Sequence, residues 1–126
     1  MDYRAIIGRI FDDEGMIALD ADAEYELRHE DFVLEMPQSG ERMRGRDKLR
    51  EMQREFPSPP KGKVRRISGA GELWVVEGVN DYGDGDVWSW VIIMEFRDGK
   101  IWKETRYYGK PFEAPQWRAH LVEPLD

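Results

Sequence analysis

The stretch Asp86-Val87-Trp88-Ser89-Trp90-Val91-Ile92-Ile93-Met94-Glu95-Phe96 decides the fold of this chain. From Trp88 onward, large apolar side chains occupy every second position, and the positions between them mix aliphatic residues with Ser89 and Glu95. Because successive side chains of a strand point to opposite faces, this alternation predicts a β-strand with one buried face. The even positions Trp88, Trp90, Ile92, Met94 and Phe96 are expected to face inward. We predict that Trp88, Trp90, Met94 and Phe96, together with Trp102 further along the chain, lie on the concave side of one sheet and face the first and third helices.

The sequence on either side of this strand predicts helices at the start and mostly strands afterwards. An apolar stripe at helical spacing runs from Tyr3 to about Leu19, Asp20 can cap a second helix, and a third helix begins at Asp47. Further strands are predicted at about 31–36, 42–44, 64–69, 72–82 and 100–108, and a short terminal helix has Pro115 in its first turn. This order indicates an α+β fold and a single domain covering residues 1–126.

The composition excludes several classes of function. A net charge of −7 argues against a nucleic-acid partner, which needs clustered cations facing phosphates. The absence of cysteine removes thiolate chemistry and cysteine metal sites, and His29 and His120 make no case for a metal. No apolar run approaches the roughly 20 residues that span a bilayer, and the N-terminus lacks the layout of a signal peptide. We therefore expect a cytoplasmic protein without a membrane partner, metal or cofactor.

The last predicted strand carries the main candidate site. Its even face holds Trp102, Glu104, Arg106 and Tyr108. Two opposite charges bracketed by aromatic residues suit the polar spot of an apolar cavity, because ligand pockets are mostly hydrophobic with a few placed polar groups. From the spacing alone, a solvated ion pair is an equal alternative.

Glu104 is the principal catalytic candidate, and Arg106 is the second. Burial would raise the pKa of the Glu104 carboxyl toward neutrality and suit it to general acid–base work. Pairing with Arg106 would oppose that rise in pKa. Arg106 could instead hold an enolate or a carboxylate of the ligand.

A second carboxylate candidate is Glu14, expected among the ligand-binding residues. It interrupts the apolar stripe between Ile10 and Ile17, which points it at the sheet. The alternative is a position near Gly15 from which the side chain reaches solvent.

Asn80 and Tyr108 are expected to donate hydrogen bonds to a ligand carbonyl. Tyr108 has an alternative role, which is to close the core with its hydroxyl at the rim. The remaining residues expected to bind the ligand are Trp90, Trp102 and Met36.

Several segments of the chain match a known family. They are the helix-rich start, Phe32…Met36-Pro37-Gln38-Ser39-Gly40-Glu41-Arg42…Gly45-Arg46, Asp98-Gly99-Lys100-Ile101 leading into Tyr107-Tyr108, and Pro111-Phe112-Glu113-Ala114-Pro115-Gln116-Trp117-Arg118-Ala119. Together they resemble the SnoaL-like proteins of the nuclear-transport-factor-two-like superfamily. This resemblance implies a cone-shaped barrel, in which a curved, mostly antiparallel sheet wraps around N-terminal helices and encloses an internal pocket. It also implies that the even face of the last strand is turned into the cavity.

The catalytic patterns of that superfamily are mostly absent from this sequence. Met36 occupies the position of a ketosteroid isomerase's base carboxylate and cannot take a proton, and its oxyanion tyrosine would fall near Asp12. An enzyme resembling limonene epoxide hydrolase would need an aspartate near Arg106. The resemblance is therefore specific for the fold and weak for the activity.

Three functional classes follow from these observations. The first is an enzyme that moves protons on an aromatic or polycyclic carbonyl compound, as a cyclase, isomerase, dehydratase or hydrolase. The second is a carrier or sensor of such a small molecule, and the third is a protein-association module that uses the outer sheet face. The aliphatic share of that face predicts a homodimer with Val91 and Ile93 near the contact, or alternatively a cover formed by the C-terminal tail.

Overall fold

The first half of the chain forms two helices, a pair of strands and a third helix, and four strands follow in the second half. The computed structural model describes residues 2–12, 15, 19–56 and 61–125. Its elements are α1 Tyr3–Ile10, α2 Ala21–Leu27, β1 Arg28–Met36, β2 Glu41–Arg44, α3 Arg46–Glu55, β3 Lys61–Ala70, β4 Leu73–Asp81, β5 Val87–Arg97, β6 Lys100–Gly109 and the 3₁₀ helix Gln116–Leu121. The predicted α+β class is confirmed. No described helix has both the length and the apolar character needed to cross a membrane.

The six strands form one curved sheet in the order β2-β1-β6-β5-β4-β3. Neighbouring strands are antiparallel except β1 and β6, which run parallel. The register shifts in three of these pairings, and such bulges bend the strands around the helices. The mostly antiparallel sheet is as predicted, but β2 and β3 do not pair, so the sheet is an open half-cone rather than a closed barrel.

The first helix is shorter than the apolar stripe predicted. It ends at Ile10, because Phe11 has an extended backbone with φ −116° and ψ 136°. The Phe11 ring instead stacks on Trp90, with the ring centroids 6.2 Å apart. Glu14 and Ile17, which the prediction placed on this helix, lie outside the described residues. The second helix is capped as expected, because the Asp20 carboxylate accepts a hydrogen bond from the Ala23 amide at 2.8 Å.

The alternation in β5 places the core where it was predicted. Trp90, Ile92, Met94 and Phe96 are buried. Trp88, at the start of the strand, is half-buried. Phe96 stacks on Tyr3 of α1 at a centroid distance of 4.3 Å, and Leu49 of α3 belongs to the same core cluster. The even face of β5 therefore packs against the first and third helices, as expected.

A bulge in β6 reverses the expected orientation of Trp102. The register with β5 shifts beside Phe96, which pairs with Ile101, and Ile101 is fully buried. Trp102 is half-buried and lines neither of the cavities described below, and its ring lies under the exposed Arg97 guanidinium at 4.8 Å. The prediction that Trp102 faces the concave side is wrong, because one inserted residue shifts the alternation of side chains. The structure thus places Trp102 away from both cavities.

The C-terminal tail lies largely in solvent. Its helix is 3₁₀ rather than α, it begins after Pro115, and none of its residues is buried. Trp117 is 73% exposed, so the tail provides little cover for the outer sheet face. On that face, Val91 and Ile93 are half-buried.

Candidate functional site

Two adjoining cavities lie on the concave side of the sheet. The inner one has a volume of about 120 Å³ and the outer one about 680 Å³. Apolar side chains from every layer of the fold line the outer cavity: Leu19, Met36, Met52, Phe56 and Trp88. The residues that line both cavities are all polar, namely Glu24, Gln53, Asn80, Arg106 and Tyr108. The junction of the two spaces is thus polar, and further polar residues line each cavity alone: Arg28 and Glu104 the inner one, and Gln38, Ser39 and Glu41 the outer one.

Glu104 lies at the inner end of the site and is fully buried. One carboxylate oxygen, Oε2, accepts a hydrogen bond from Nε of Arg28 at 2.8 Å. The other, Oε1, accepts from Nε and Nη2 of Arg106 at 3.0 and 2.7 Å. Both oxygens are therefore occupied by charged donors, which form the strongest class of protein hydrogen bond.

These two arginines reverse the pKa shift expected for Glu104. Burial by itself raises the pKa of this carboxyl, but the attraction and hydrogen bonds of Arg28 and Arg106 outweigh it and lower the pKa to about 2. Burial also lowers the pKa of Arg106, but the Glu104 carboxylate, followed by Tyr108, raises it above its usual value. Glu104 is thus ionised near neutral pH. The rise in pKa expected from burial alone does not occur, and the alternative, in which pairing with Arg106 opposes it, is the one that the structure has.

Arg28 and Glu24 extend this network, and neither was identified from the sequence. Arg28 stands where α2 ends and β1 begins, and its Nη1 donates to Glu24 Oε1 at 3.1 Å. The amide nitrogen of Gln53 in α3 donates to the same oxygen at 3.2 Å. The Glu24–Arg28 spacing of four residues, beside the apolar Leu27, was the signal that could have revealed the pair.

Asn80 faces the junction of the cavities with a defined orientation. Trp90 Nε1 donates to Asn80 Oδ1 at 2.9 Å. Because an indole nitrogen can only donate, the oxygen of the amide must be the atom that faces Trp90. The amide NH₂ of Asn80 is then left as a donor for the cavity.

Most of the predicted site residues come together in these cavities. Glu104 and Trp90 lie at the inner cavity, and Asn80, Arg106 and Tyr108 line both spaces. Met36 lines the outer cavity. The exceptions are Trp102, which β6 turns away, and Glu14, which lies outside the described residues.

The two histidines stand apart from this site. Nδ1 of His29 accepts a hydrogen bond from the Asp31 amide at 3.0 Å, and His120 is exposed in the tail. Within the described part of the chain, no three acidic or histidine side chains are arranged to hold a metal ion.

Comparison with known proteins identifies the family. Residues 9–104 match the model of the SnoaL-like domain. An NTF-2 like protein of unknown function from Burkholderia xenovorans LB400 is 42% identical, with a TM-score of 0.72 over 84% of this chain and 83% of that one. A protein from Kribbella flavida DSM 17836, named for a proposed ketosteroid isomerase activity, is 28% identical, with a TM-score of 0.81 over 98% of this chain and 89% of that one.

More distant structures share the fold alone. An LEH-like epoxide hydrolase from M. tuberculosis is 20% identical, with a TM-score of 0.59 over 70% of this chain and 69% of that one. No curated protein matches the sequence. The family match covers well over half of the chain and agrees with the six-stranded curved sheet. The chain therefore belongs to the SnoaL-like domain family.

Proposed function

We propose that this SnoaL-like domain binds a small, largely apolar carbonyl compound, aromatic or polycyclic, on the concave side of its sheet. The outer cavity of about 680 Å³ carries this proposal, because its volume is typical of small-molecule sites. Its walls are mostly apolar. One group of polar residues lies where it meets the inner cavity, and a second group, Gln38, Ser39 and Glu41, lines the outer cavity alone. Such a site buries the apolar surface of a ligand and orients the ligand with a few hydrogen bonds.

The polar groups at the junction favour a carbonyl on the ligand. Asn80 presents its NH₂ group because its oxygen is bonded to Trp90. Arg106 uses Nε and one Nη2 hydrogen on Glu104 and also interacts with the side chain of Tyr108. Because a guanidinium carries five N–H hydrogens, others remain beside the cavity. A carbonyl oxygen accepts hydrogen bonds and satisfies such donors.

The charges of the site favour a carrier or sensor over an enzyme that uses Glu104. A general acid or base works best with a pKa near the operating pH, whereas the pKa of Glu104 is about 2. Its two oxygens are also engaged by Arg28 and Arg106. We assign Glu104 and Arg106 to shaping the site and orienting the ligand.

A second candidate function is an enzyme of the isomerase type. The likeness to the K. flavida protein, at 28% identity over 98% of this chain, supports it. Such an enzyme would carry the proton on a group other than Glu104. Exchange of the α-hydrogens of a bound ketone in deuterated water distinguishes the two functions, because a carrier binds without accelerating the exchange.

The direct test is calorimetric titration with 1-tetralone and fluorenone, two ketones of different size. We expect saturable binding with one ligand per chain and a rise in Tm as the ligand concentration exceeds Kd. Tetralin, which has the 1-tetralone skeleton without the carbonyl, is the matched control and should bind more weakly. Absence of binding for both ketones at millimolar concentration contradicts the proposal.

We also propose a homodimer formed through the outer face of the sheet. The aliphatic pair Val91 and Ile93 is only half-buried, and the tail helix that could cover it buries none of its residues. Sedimentation at micromolar concentration tests this proposal. A monomer that binds another protein through this face would instead support the protein-association class.

A further inference from the structure

Glu24 supplies the carboxylate at the junction of the two cavities, and the described hydrogen bonds engage one of its two oxygens. Its side chain is 9% exposed, and its Oε1 accepts from both Arg28 and Gln53. Within residues 2–12, 15, 19–56 and 61–125, no group donates to Oε2. Every fully buried polar side-chain atom in this part of the chain has a hydrogen-bond partner, so Oε2 retains access to the cavity.

The position of Glu24 makes this oxygen available to a ligand. Glu24 lines both the inner and the outer cavity, as Asn80 and Arg106 do. Asn80 and Arg106 present donors, whereas Oε2 of Glu24 is an acceptor. A ligand in this space therefore meets both kinds of hydrogen-bonding group.

The charges around Glu24 indicate what kind of donor it accepts. The network contains two arginines, Arg28 and Arg106, and two carboxylates, Glu24 and Glu104, so its formal charges cancel. A cationic ligand beside Glu24 would consequently gain no net counter-charge from this network. A neutral hydroxyl satisfies the oxygen without adding a charge to the buried site, where an unbalanced charge is costly.

We propose that Glu24 is the specificity-determining residue of the cavity and selects carbonyl compounds that also carry a hydroxyl group. Oε2 of Glu24 accepts the hydroxyl hydrogen, while Asn80 and Arg106 donate to the carbonyl oxygen. The inference rests on the proposed ligand-binding function and narrows its ligand to an apolar hydroxy-ketone.

The experiment measures Kd at pH 7 for 1-tetralone and for ring-hydroxylated 1-tetralones whose hydroxyl cannot bond to their own carbonyl. We expect at least one hydroxylated ketone to bind about tenfold more tightly than 1-tetralone, as a hydrogen bond to a charged acceptor provides. Its methyl ether cannot donate and should lose this advantage. This comparison uses the unmodified protein and so does not depend on the folding of a variant.

The variant Glu24→Gln then assigns the effect to this residue. It keeps the side chain's size but removes the charge, and the preference for the hydroxylated ketone should fall to about threefold or less. Glu26→Gln, an exposed position on the same helix, is the matched control and should keep the preference.

The outcomes separate the two proposals. Equal binding of 1-tetralone, its hydroxylated forms and their methyl ethers overturns the role of Glu24 and leaves the ketone-binding function intact. A preference that survives Glu24→Gln unchanged also overturns it. If no member of the series binds the unmodified protein, the proposed function itself fails, and the inference fails with it.

Discussion

Nε of Arg28 donates to Oε2 of Glu104 at 2.8 Å, joining two side chains that lie 76 residues apart in sequence. Arg28 stands at the start of β1 and Glu104 in the middle of β6, the two strands that pair in parallel. The ion pair therefore bridges the one parallel contact of the sheet. Arg28 is 2% exposed and Glu104 is 0% exposed, so both charges depend on ion pairs within the protein in place of water.

Replacing Glu104 with Gln should destabilise the fold. The substitution leaves Arg28 and Arg106 buried with one counter-charge fewer, and breaking a buried ion pair typically costs about 3–5 kcal/mol. The free energy of unfolding from urea titration measures this loss. Glu30→Gln, at an exposed position of β1, is the control and should change it by less than about 0.5 kcal/mol. A loss below 1 kcal/mol for Glu104→Gln would show that the network contributes little to stability.

The low pKa of Glu104 predicts a loss of stability in acid. Its pKa is about 2 in the folded protein and near 4.5 when unperturbed, so folding favours the ionised form. The contribution is complete above about pH 4.5 and is lost as the pH falls toward about 2. Unfolding free energies measured at several pH values should fall more steeply for the unmodified protein than for Glu104→Gln, by up to about 3 kcal/mol. Parallel curves contradict the assigned shift.

Asn80→Asp should weaken ketone binding while leaving the contact with Trp90 in place. The aspartate keeps an oxygen at 2.9 Å from the indole nitrogen but replaces the NH₂ donor with a second acceptor. We expect Kd for 1-tetralone to rise about tenfold. Ser89→Asp, on the outer face of the neighbouring strand, adds the same charge and should leave Kd unchanged. An equal rise in both variants would indicate a general effect of charge.

Gly78→Ala should displace the Trp90 ring. Gly78 pairs with Trp90 across β4 and β5, and a Cβ there would overlap the indole and the Lys63 carbonyl. Overpacking of this kind costs about 1–3 kcal/mol, and the inner cavity that Trp90 lines should change shape with it. Urea unfolding and ketone affinity are the measurements. Gly109→Ala is the control, because its Cβ would make an ordinary contact at 3.8 Å with the Ser89 carbonyl.

The error at Trp102 and the success at Glu104 have a common physical basis. Alternation along β6 placed both residues on the inner face, and the bulge beside Phe96 turned Trp102 outward without affecting Glu104. A bulge inserts one extra residue into one of two paired strands. The residues around this bulge gave no signal in the sequence from which its position could be predicted. When inward and outward positions are predicted by counting along a strand, the prediction is reversed for residues beyond a bulge.

The sequence alone determined the class of fold, the buried face of β5 and the polar spot on β6. These features follow from local periodicity, because one strand exposes its alternate residues to two different environments wherever it lies. The tertiary structure decided which charged groups pair with Glu104 and Arg106. It brought Arg28 from the end of α2 to Glu104 and left Glu24 with one oxygen facing the cavity. Protonation and pairing depend on which distant charges come within a few ångströms, and that distance is set only when the parallel contact of β1 and β6 forms.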